Sequence, residues 1–138
     1  MKKKKERFIE VEEGFIFDKI TKLLWHQNTE SMAWNASLEY AKSLYDYGLE
    51  WRVPAIRDLL NIINYKNVDP ASKLPNICSS YYWSSSQYVN NSDYAWRVHF
   101  YYGNVAGYNK TNDYSVRCVS GPFKSLKECK FILKRYNI

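Results

Sequence analysis

The chain has 138 residues and a formal net charge of +6, which fits one ordinary domain with a moderate basic excess. Four of the positive charges are the lysines at positions 2–5, and the remainder is close to neutral, so charge alone does not indicate a nucleic-acid-binding protein. Aromatic residues make up 17% of the sequence, with 13 tyrosines. Because a buried tyrosine hydroxyl needs a partner, many of these tyrosines are expected at the surface.

The beginning of the chain is predicted to be a basic, disordered arm at residues 1–7, followed by a single domain at residues 8–138. The lysines could start a signal peptide, but Glu6, Glu10 and Glu12 occupy positions where an apolar stretch is needed. No segment has the length and composition of a membrane span. The sequence therefore predicts a protein that is cytoplasmic as synthesised and does not span a membrane, with association to a virion left open.

Short strands followed by two helices are predicted for the first half of the chain. Residues 15–17 and 23–26 are typical of a β-hairpin. Apolar side chains recur at spacings of four and three in residues 31–47 and again in residues 54–65, which indicates a helix in each, and Gly48 ends the first. The first helix is expected to begin at a cap residue, Ser31 or Thr29. The positions predicted to be buried are Trp34, Leu38, Ala41 and Tyr45 in the first helix. In the second helix they are Ile56, Leu59, Leu60 and Ile63.

From Tyr81 onward the apolar period falls to two, which is typical of strands. One strand is predicted to bury one set of alternate residues and to hold the other set outward. The buried set is Trp96, Val98 and Phe100, and the outward set is Arg97, His99 and Tyr101. Gly103 and Asn104 predict a turn, after which residues 105–108 can return as a partner strand.

The last part of the chain predicts a core strand at residues 116–119 and an amphipathic helix that begins after Ser125. Helices in the first half and strands in the second indicate an α+β fold rather than a wound parallel sheet. Cys78, Cys118 and Cys129 lack a CxxC pair and are predicted to be buried, reduced thiols. A disulfide between the first two is expected only in an oxidising compartment.

Several short motifs stand in a fixed order along residues 15–119. They are Phe17-Asp18, Leu24-Trp25, Trp34 with Ala36, Trp51-Arg52-Val53-Pro54, Tyr82-Trp83-Ser84-Ser85-Ser86, Ala95-Trp96-Arg97-Val98-His99-Phe100 and Val116-Arg117-Cys118-Val119. Together they resemble the Lcl C-terminal-domain-like family. The resemblance implies a C-type-lectin-like fold, related to that of the sulfatase-modifying factors, with two helices packed on a small, mostly antiparallel sheet. The C-terminal helix is an addition to the family pattern.

The segment at residues 88–114, which surrounds the motif at residues 95–100, also resembles the variable proteins of diversity-generating retroelements, whose mutagenesis at adenines yields Asn, Tyr, Ser, Asp and His. Those residue types occupy 15 of the 27 positions in residues 88–114. This resemblance implies a ligand-binding surface that is hypervariable. The predicted ligand-binding residues are Tyr88, Asn90, Asn91, Asp93, Tyr94, Arg97, His99, Tyr101, Tyr102, Asn104, Tyr108, Asn109, Asn112 and Tyr114.

A rigid strand that carries mixed Tyr, Asn and Ser is similar in composition to an antibody paratope, although Tyr is also an ordinary strand residue. The sequence therefore predicts a non-enzymatic domain that binds a protein or cell-surface ligand, without catalytic residues, metal ligands or cofactors. The alternative is an anionic polysaccharide or glycan bound by Arg97, Lys110, Arg117 and the basic C-terminal helix. Arg117 stands beside a buried strand, where a structural ion pair or hydrogen bonds are a simpler role than ligand binding. Nucleic acid is not an expected partner, because no nucleic-acid-binding motif accompanies the charge.

Overall fold

A computed structural model describes residues 6–136, so the lysines at positions 2–5 lie outside the described residues. The described part of the chain forms nine strands, three α-helices and one short 3-10 turn. None of these helices is long and apolar enough to cross a lipid bilayer. The strands are β1 (Phe8–Glu12), β2 (Phe15–Asp18), β3 (Leu24–Trp25), β4 (Glu30–Met32), β5 (Tyr81–Gln87), β6 (Tyr94–His99), β7 (Asn104–Asn109), β8 (Tyr114–Val116) and β9 (Val119–Ser120). The helices are α1 (Trp34–Ser43), α2 (Ile56–Asn61) and α3 (Leu126–Tyr136), and the 3-10 turn is Asp46–Gly48.

The fold is α+β, as predicted, but its strands divide between two sheets instead of one. The first sheet has the order β1-β2-β3-β9, with every neighbouring pair antiparallel. The second has the order β4-β8-β5-β6-β7, and only its β5–β8 pair is parallel. The chain leaves the second sheet after Val116 and joins the first at Val119, so the segment predicted as one strand serves both sheets.

Two apolar clusters hold the sheets and helices together, and strands β2 and β5 contribute to both. Phe17 and Trp83 belong to one cluster, whereas Ile16 and Tyr82, the neighbours of these two residues, belong to the other. Because successive side chains of a strand point to opposite faces, a strand that lies between two clusters is buried on both sides. Each fully buried large apolar side chain contributes roughly 1.5–3 kcal/mol, which fixes the register of these strands.

Both predicted helices exist but are shorter than their apolar patterns suggest. Ser31 does not cap the first, since it lies in β4 and pairs with β8. The helix begins at Trp34 and gives way to extended backbone at Leu44, so Tyr45 falls outside it and is exposed. Leu60 of α2 is also exposed, contrary to the prediction, whereas Leu59 is buried.

Arg7 fixes the start of the described chain to the end of β2, although composition places it in the basic arm. Its Nε and Nη2 atoms donate to the two carboxylate oxygens of Asp18 at 2.8 and 2.7 Å. The buried carboxylate also accepts hydrogen bonds from the Ile20 amide and the Thr21 hydroxyl. Burial alone would raise the pKa of Asp18, but the hydrogen bonds, that from Arg7 foremost, outweigh it and lower this pKa below its usual value.

The Arg7–Asp18 pair makes stability depend on pH in the acid range. A carboxylate whose pKa is lower in the folded than in the unfolded protein contributes its full stabilisation of the fold above its unfolded-state pKa, about 3.9. That contribution is lost as the pH falls through its folded-state pKa. We expect the free energy of unfolding to decline below about pH 4, and Asp18→Asn to be less stable at neutral pH with a shallower acid decline. Urea denaturation over a pH series measures both. Parallel curves for the two proteins would contradict this expectation.

Candidate ligand-binding surface

Pairing of the strands brings polar and aromatic side chains together on one face of the second sheet. Tyr81 of β5 lies opposite His99 of β6, and Trp83 lies opposite Arg97. Residues directly opposite each other on antiparallel strands share a face, and so do residues two apart on one strand. Seven residues form this surface, here named the aromatic face: Tyr81, Arg97, His99, Tyr101, Tyr102, Tyr108 and Tyr114.

The rings of the aromatic face contact one another. His99 stacks on Tyr81 with ring centroids 4.0 Å apart, and Tyr102 meets the His99 ring edge-on at 5.1 Å. Tyr114 lies 5.2 Å from Tyr81. The turn that carries Tyr102 is closed by a 2.8 Å hydrogen bond from the amide of Gly103 to the carbonyl of His99. Gly103 has a φ of +86°, which favours glycine, so the turn can hold its tyrosines against His99.

Arg97 lies on this face but is buried, which corrects the prediction that it is exposed. Only 2% of its surface is accessible. The central carbon of its guanidinium lies 4.0 Å from the Tyr81 ring centroid and 3.7 Å from that of Tyr108, with Tyr114 at 5.4 Å. The period-two pattern predicts correctly the side of the sheet to which Arg97 points. It does not predict the burial of Arg97, because the tyrosines that cover the side chain come from three other strands.

Two of the predicted binding tyrosines lie on the opposite face. The Tyr88 ring packs on Trp96 at 4.8 Å and is 6.2 Å from Tyr94. It also lies over Gly107, where a Cβ atom would come within 2.4 Å of the ring. Trp96 is only half-buried, although the pattern predicts that it is buried. Tyr88 and Tyr94 therefore do not join the aromatic face.

The predicted asparagines lie mainly in two loops at the end of β6 remote from Tyr101. Asn90, Asn91 and Asp93 are exposed between β5 and β6, and the Asn91 side chain accepts the amide of Asp93 at 2.9 Å. Asn109 is the last residue of β7 and Asn112 lies in the β7–β8 connection, and the Asn109 side chain accepts the amide of Thr111 at 2.9 Å. Asn104 is exposed at the start of β7, opposite His99. These bonds are typical of turns, and the loops extend the exposed polar surface beyond the tyrosines.

A model of one protein family, the Lcl C-terminal domain, matches residues 14–120. The chain belongs to this family. The match runs from just before β2 to the end of β9, so it includes the whole aromatic face and omits β1 and α3. Comparison with curated proteins and with solved structures gave no significant match.

Tyr81 is the member of the aromatic face that sequence reasoning missed. It stands directly before the Lcl motif Tyr82-Trp83-Ser84, whose residues are buried. The alternation of β5 places it on the side opposite to Tyr82. Its pairing with His99 depends on the register of two strands, which the sequence alone does not supply.

Arg117, also in an Lcl motif, has the structural role predicted for it. Its guanidinium is buried and donates to the backbone carbonyls of His26 at 2.7 Å, Asn76 at 2.8 Å and Gly14 at 3.3 Å. It therefore cannot contribute to a polysaccharide-binding surface. Lys110 is also engaged, since its Nζ donates to the carbonyl of Ser92 at 2.6 Å.

Two of the three cysteines of this Lcl domain are buried where the thiolate form is disfavoured. Burial raises the pKa of Cys118 to about 12, and burial together with Glu128 raises the pKa of Cys129 to about 11. Cys78 is exposed, contrary to the prediction, and all three thiols are free. Within residues 6–136 no three His, Cys, Asp or Glu side chains converge as a metal site would require.

His26 is buried with both ring nitrogens engaged. Its Nδ1 accepts the amide of Asn28 at 3.0 Å, so Nε2 carries the hydrogen and donates to Asp46 at 2.6 Å. Asp46 also lines an open cleft of about 420 Å³ with Tyr45 and Tyr136. None of the predicted ligand-binding residues lines this cleft.

Proposed function

We propose that this Lcl C-terminal domain is a non-enzymatic recognition module that binds a protein or cell-surface ligand through the aromatic face. The supporting observation is the exposure of four clustered tyrosines that stand on paired strands and their turn. The exposed fractions are 38% for Tyr81, 45% for Tyr101, 53% for Tyr102 and 37% for Tyr108. Contiguous exposed aromatic surface of this kind marks interaction sites, and tyrosine is enriched among the residues that dominate binding energy.

The rigidity of the face favours recognition by contact. A tyrosine offers a large, amphipathic surface with few torsions to immobilise. The stacking of His99 on Tyr81 and the hydrogen-bonded turn before Asn104 restrict the side chains before a ligand arrives. Preorganisation of this kind lowers the entropic cost of binding.

The non-enzymatic part of the proposal is supported by the settings of Cys118, Cys129 and His26. A buried thiol with a raised pKa is protonated at neutral pH, and the thiolate is the nucleophilic form, so Cys118 and Cys129 are poor nucleophiles. A general base needs a nitrogen free to take a proton from substrate. Both nitrogens of His26 are already hydrogen-bonded inside the protein.

The double substitution Tyr101→Ser with Tyr102→Ser tests the aromatic face directly. We expect it to reduce binding about thirtyfold or more, because removal of each of the two aromatic contacts costs about 1 kcal/mol or more. The melting temperature is expected to change little, since both rings are exposed. Binding of labelled protein to arrays of cell-surface proteins and glycans is the measurement.

The matched control is Tyr45→Ser with Tyr136→Ser, two exposed tyrosines at the cleft beside Asp46. Full binding by the control and loss by the Tyr101/Tyr102 variant supports the proposal. Equal losses in the two variants, or a collapse of the melting temperature in the Tyr101/Tyr102 variant, would count against it.

We also propose that the Asn and Tyr positions are diversified, as in the retroelement variable proteins that the sequence resembles. Every predicted binding residue except Arg97 is exposed or half-buried, whereas motif residues such as Trp83, Ser84 and Val116 are buried. Variation at such positions would leave the core intact. The test is to sequence the DNA that flanks the gene. A near-copy of the segment that encodes residues 81–119, differing mainly at adenines and next to a reverse transcriptase, supports diversification, and the absence of both removes it.

An anionic polysaccharide is the second candidate ligand, and one observation favours it. Helix α3 and the residue run before it expose five basic side chains: Lys124, Lys127, Lys130, Lys134 and Arg135. Binding through them is expected to weaken steeply with salt, because exposed charges are screened. Heparin affinity measured across ionic strength, for the natural chain and for Lys127→Gln with Lys130→Gln and Lys134→Gln, tests this. Affinity that ignores salt and survives the substitutions would exclude α3 as the binding element.

A further inference from the structure

Two of the three guanidinium nitrogens of Arg97 are buried without a hydrogen bond. Its Nε and Nη1 atoms are buried and have no hydrogen-bond partner, and none of the ion pairs among residues 6–136 includes it. The Nδ1 atom of His99, two residues along the same strand face, is also buried and unbonded. Buried arginines normally satisfy these donors, as Arg117 does with three carbonyls.

The tyrosines around Arg97 contact the flat faces of its guanidinium but supply no acceptor for the hydrogen bonds in its plane. The rings of Tyr81 and Tyr108 cover the guanidinium at 4.0 and 3.7 Å, distances at which a cation attracts the electron-rich face of an aromatic ring. The N–H bonds of a guanidinium lie in its plane, where an oxygen acceptor is needed. A buried charge without such acceptors destabilises a protein, so an arrangement of this kind is suited to a partner that brings the acceptor.

We propose that Arg97 is the anchor for a single carboxylate on the ligand, supplied by an aspartate or glutamate side chain of a protein partner. This inference rests on the proposed function of the aromatic face and specifies its chemistry. A carboxylate is planar and accepts two parallel hydrogen bonds from the guanidinium edge. Tyr81 and Tyr108 hold that edge in a fixed plane and are themselves partly exposed. A change of rotamer by Tyr108, common when interfaces form, opens the way to it.

The rest of the aromatic face favours a protein carboxylate over a polyanion. Apart from Arg97 and His99, its members are tyrosines, which carry no charge at neutral pH. Polyanions are typically bound by several cationic side chains along their length. None of the exposed lysines and arginines among residues 6–136 belongs to the aromatic face, and five of them lie on α3 and in the residue run before it. One cation enclosed by tyrosines is complementary to one acidic side chain set in an otherwise uncharged contact.

The test is a titration of isotope-labelled protein with N-acetyl-glutamate N-methylamide, followed at the Nε–H signal of Arg97 by nuclear magnetic resonance. We expect a saturable shift of this signal, no shift with the matching glutamine amide, and an unmoved Arg117 signal. Methyl glucuronide, a sugar carboxylate, distinguishes the source of the acid. A stronger response to the glucuronide, or no response to the glutamate probe, would overturn the proposal.

The substitution Arg97→Met separates a binding role from a structural one. Methionine fills a similar volume without an unpaired charge, so we expect the melting temperature to stay level or rise, and the glutamate probe to lose its effect on the signals of the neighbouring face. A marked fall in melting temperature would make Arg97 an internal structural cation and overturn the proposal.

If Arg97→Met keeps the array binding that Tyr101→Ser with Tyr102→Ser loses, the carboxylate anchor is wrong while the proposed function stands. If the probe binds at Arg97 and array binding ignores the tyrosine substitutions, the proposed function is wrong instead.

Discussion

Replacement of Arg117 by alanine is expected to lower the free energy of unfolding by about 3–5 kcal/mol. The guanidinium joins the carbonyls of Gly14, His26 and Asn76, which belong to three segments distant in sequence. Alanine leaves those carbonyls without the guanidinium donor and opens a cavity between the segments. Each unsatisfied group adds its own desolvation penalty, so the combined loss is larger than that for a typical single hydrogen bond.

Urea denaturation measures this loss, and two further variants interpret it. Arg117→Lys is expected to recover only part of the stability, because an ammonium on a flexible stem does not reproduce the planar donor array. The matched control is Arg52→Ala, which removes an exposed arginine paired with Asp58 at 3.0 Å. An exposed pair of this kind contributes about 1 kcal/mol or less. Similar losses for Arg117→Ala and Arg52→Ala would show that the buried hydrogen bonds do not hold the three segments together.

Replacement of Trp83 by alanine is expected to cost about 3–5 kcal/mol and to weaken ligand binding as well. Its ring is fully buried, and its Nε1 atom donates to the carbonyl of Met32 at 3.1 Å. Its ring centroid lies 4.7 Å from that of Tyr114, so it packs against a member of the aromatic face. Loss of the ring therefore creates a cavity in the core and frees Tyr114 to move.

Trp83→Phe separates the buried ring from its hydrogen bond. Phenylalanine keeps most of the apolar volume but leaves the Met32 carbonyl without its donor, which costs about 1–3 kcal/mol. Thermal and urea unfolding of both variants give the comparison. If the alanine variant is no less stable than the phenylalanine variant, the hydrogen bond rather than the ring is the main contribution of Trp83.

The elements with strong local patterns could be predicted from the sequence. The hairpin of β6 and β7 follows from alternation on either side of Gly103, and α3 follows from its apolar stripe, with Cys129 and Leu133 buried as expected. The Ser125 hydroxyl accepts the amide of Glu128 at 3.1 Å, which confirms a start for this helix at Ser125. In these cases the decisive interactions lie within a few residues.

Features set by contacts between distant segments could not be predicted. Ser31 is a reasonable helix cap, but pairing of β4 with β8 takes it into a strand. The division into two sheets depends on Val119 pairing with Trp25, far away in the chain. Membership of the Lcl C-terminal domain family is confirmed by the match to residues 14–120. The C-type-lectin-like assignment and the ligand stay predictions.

The candidate site shows the same division between local and distant information. The alternation of Val98 with Arg97 and His99 predicts correctly that the last two side chains point away from the core. The burial of Arg97 could not be predicted from the sequence, because it arises where rings from β5, β7 and β8 meet over one side chain of β6. For the same reason Tyr81 was missed, although it completes the enclosure.

The opposite faces of β6 and its turn have an implication for protein engineering. Val98 and Phe100 anchor the hairpin from the core side, while the side chains of Tyr101, Tyr102 and Asn104 are exposed and lie outside that apolar cluster. A library in which these three positions are randomised is therefore expected to keep a high proportion of folded members. The domain would then serve as a compact, disulfide-free scaffold for selecting new binders, in which binding affinity can be optimised without a change in thermal stability.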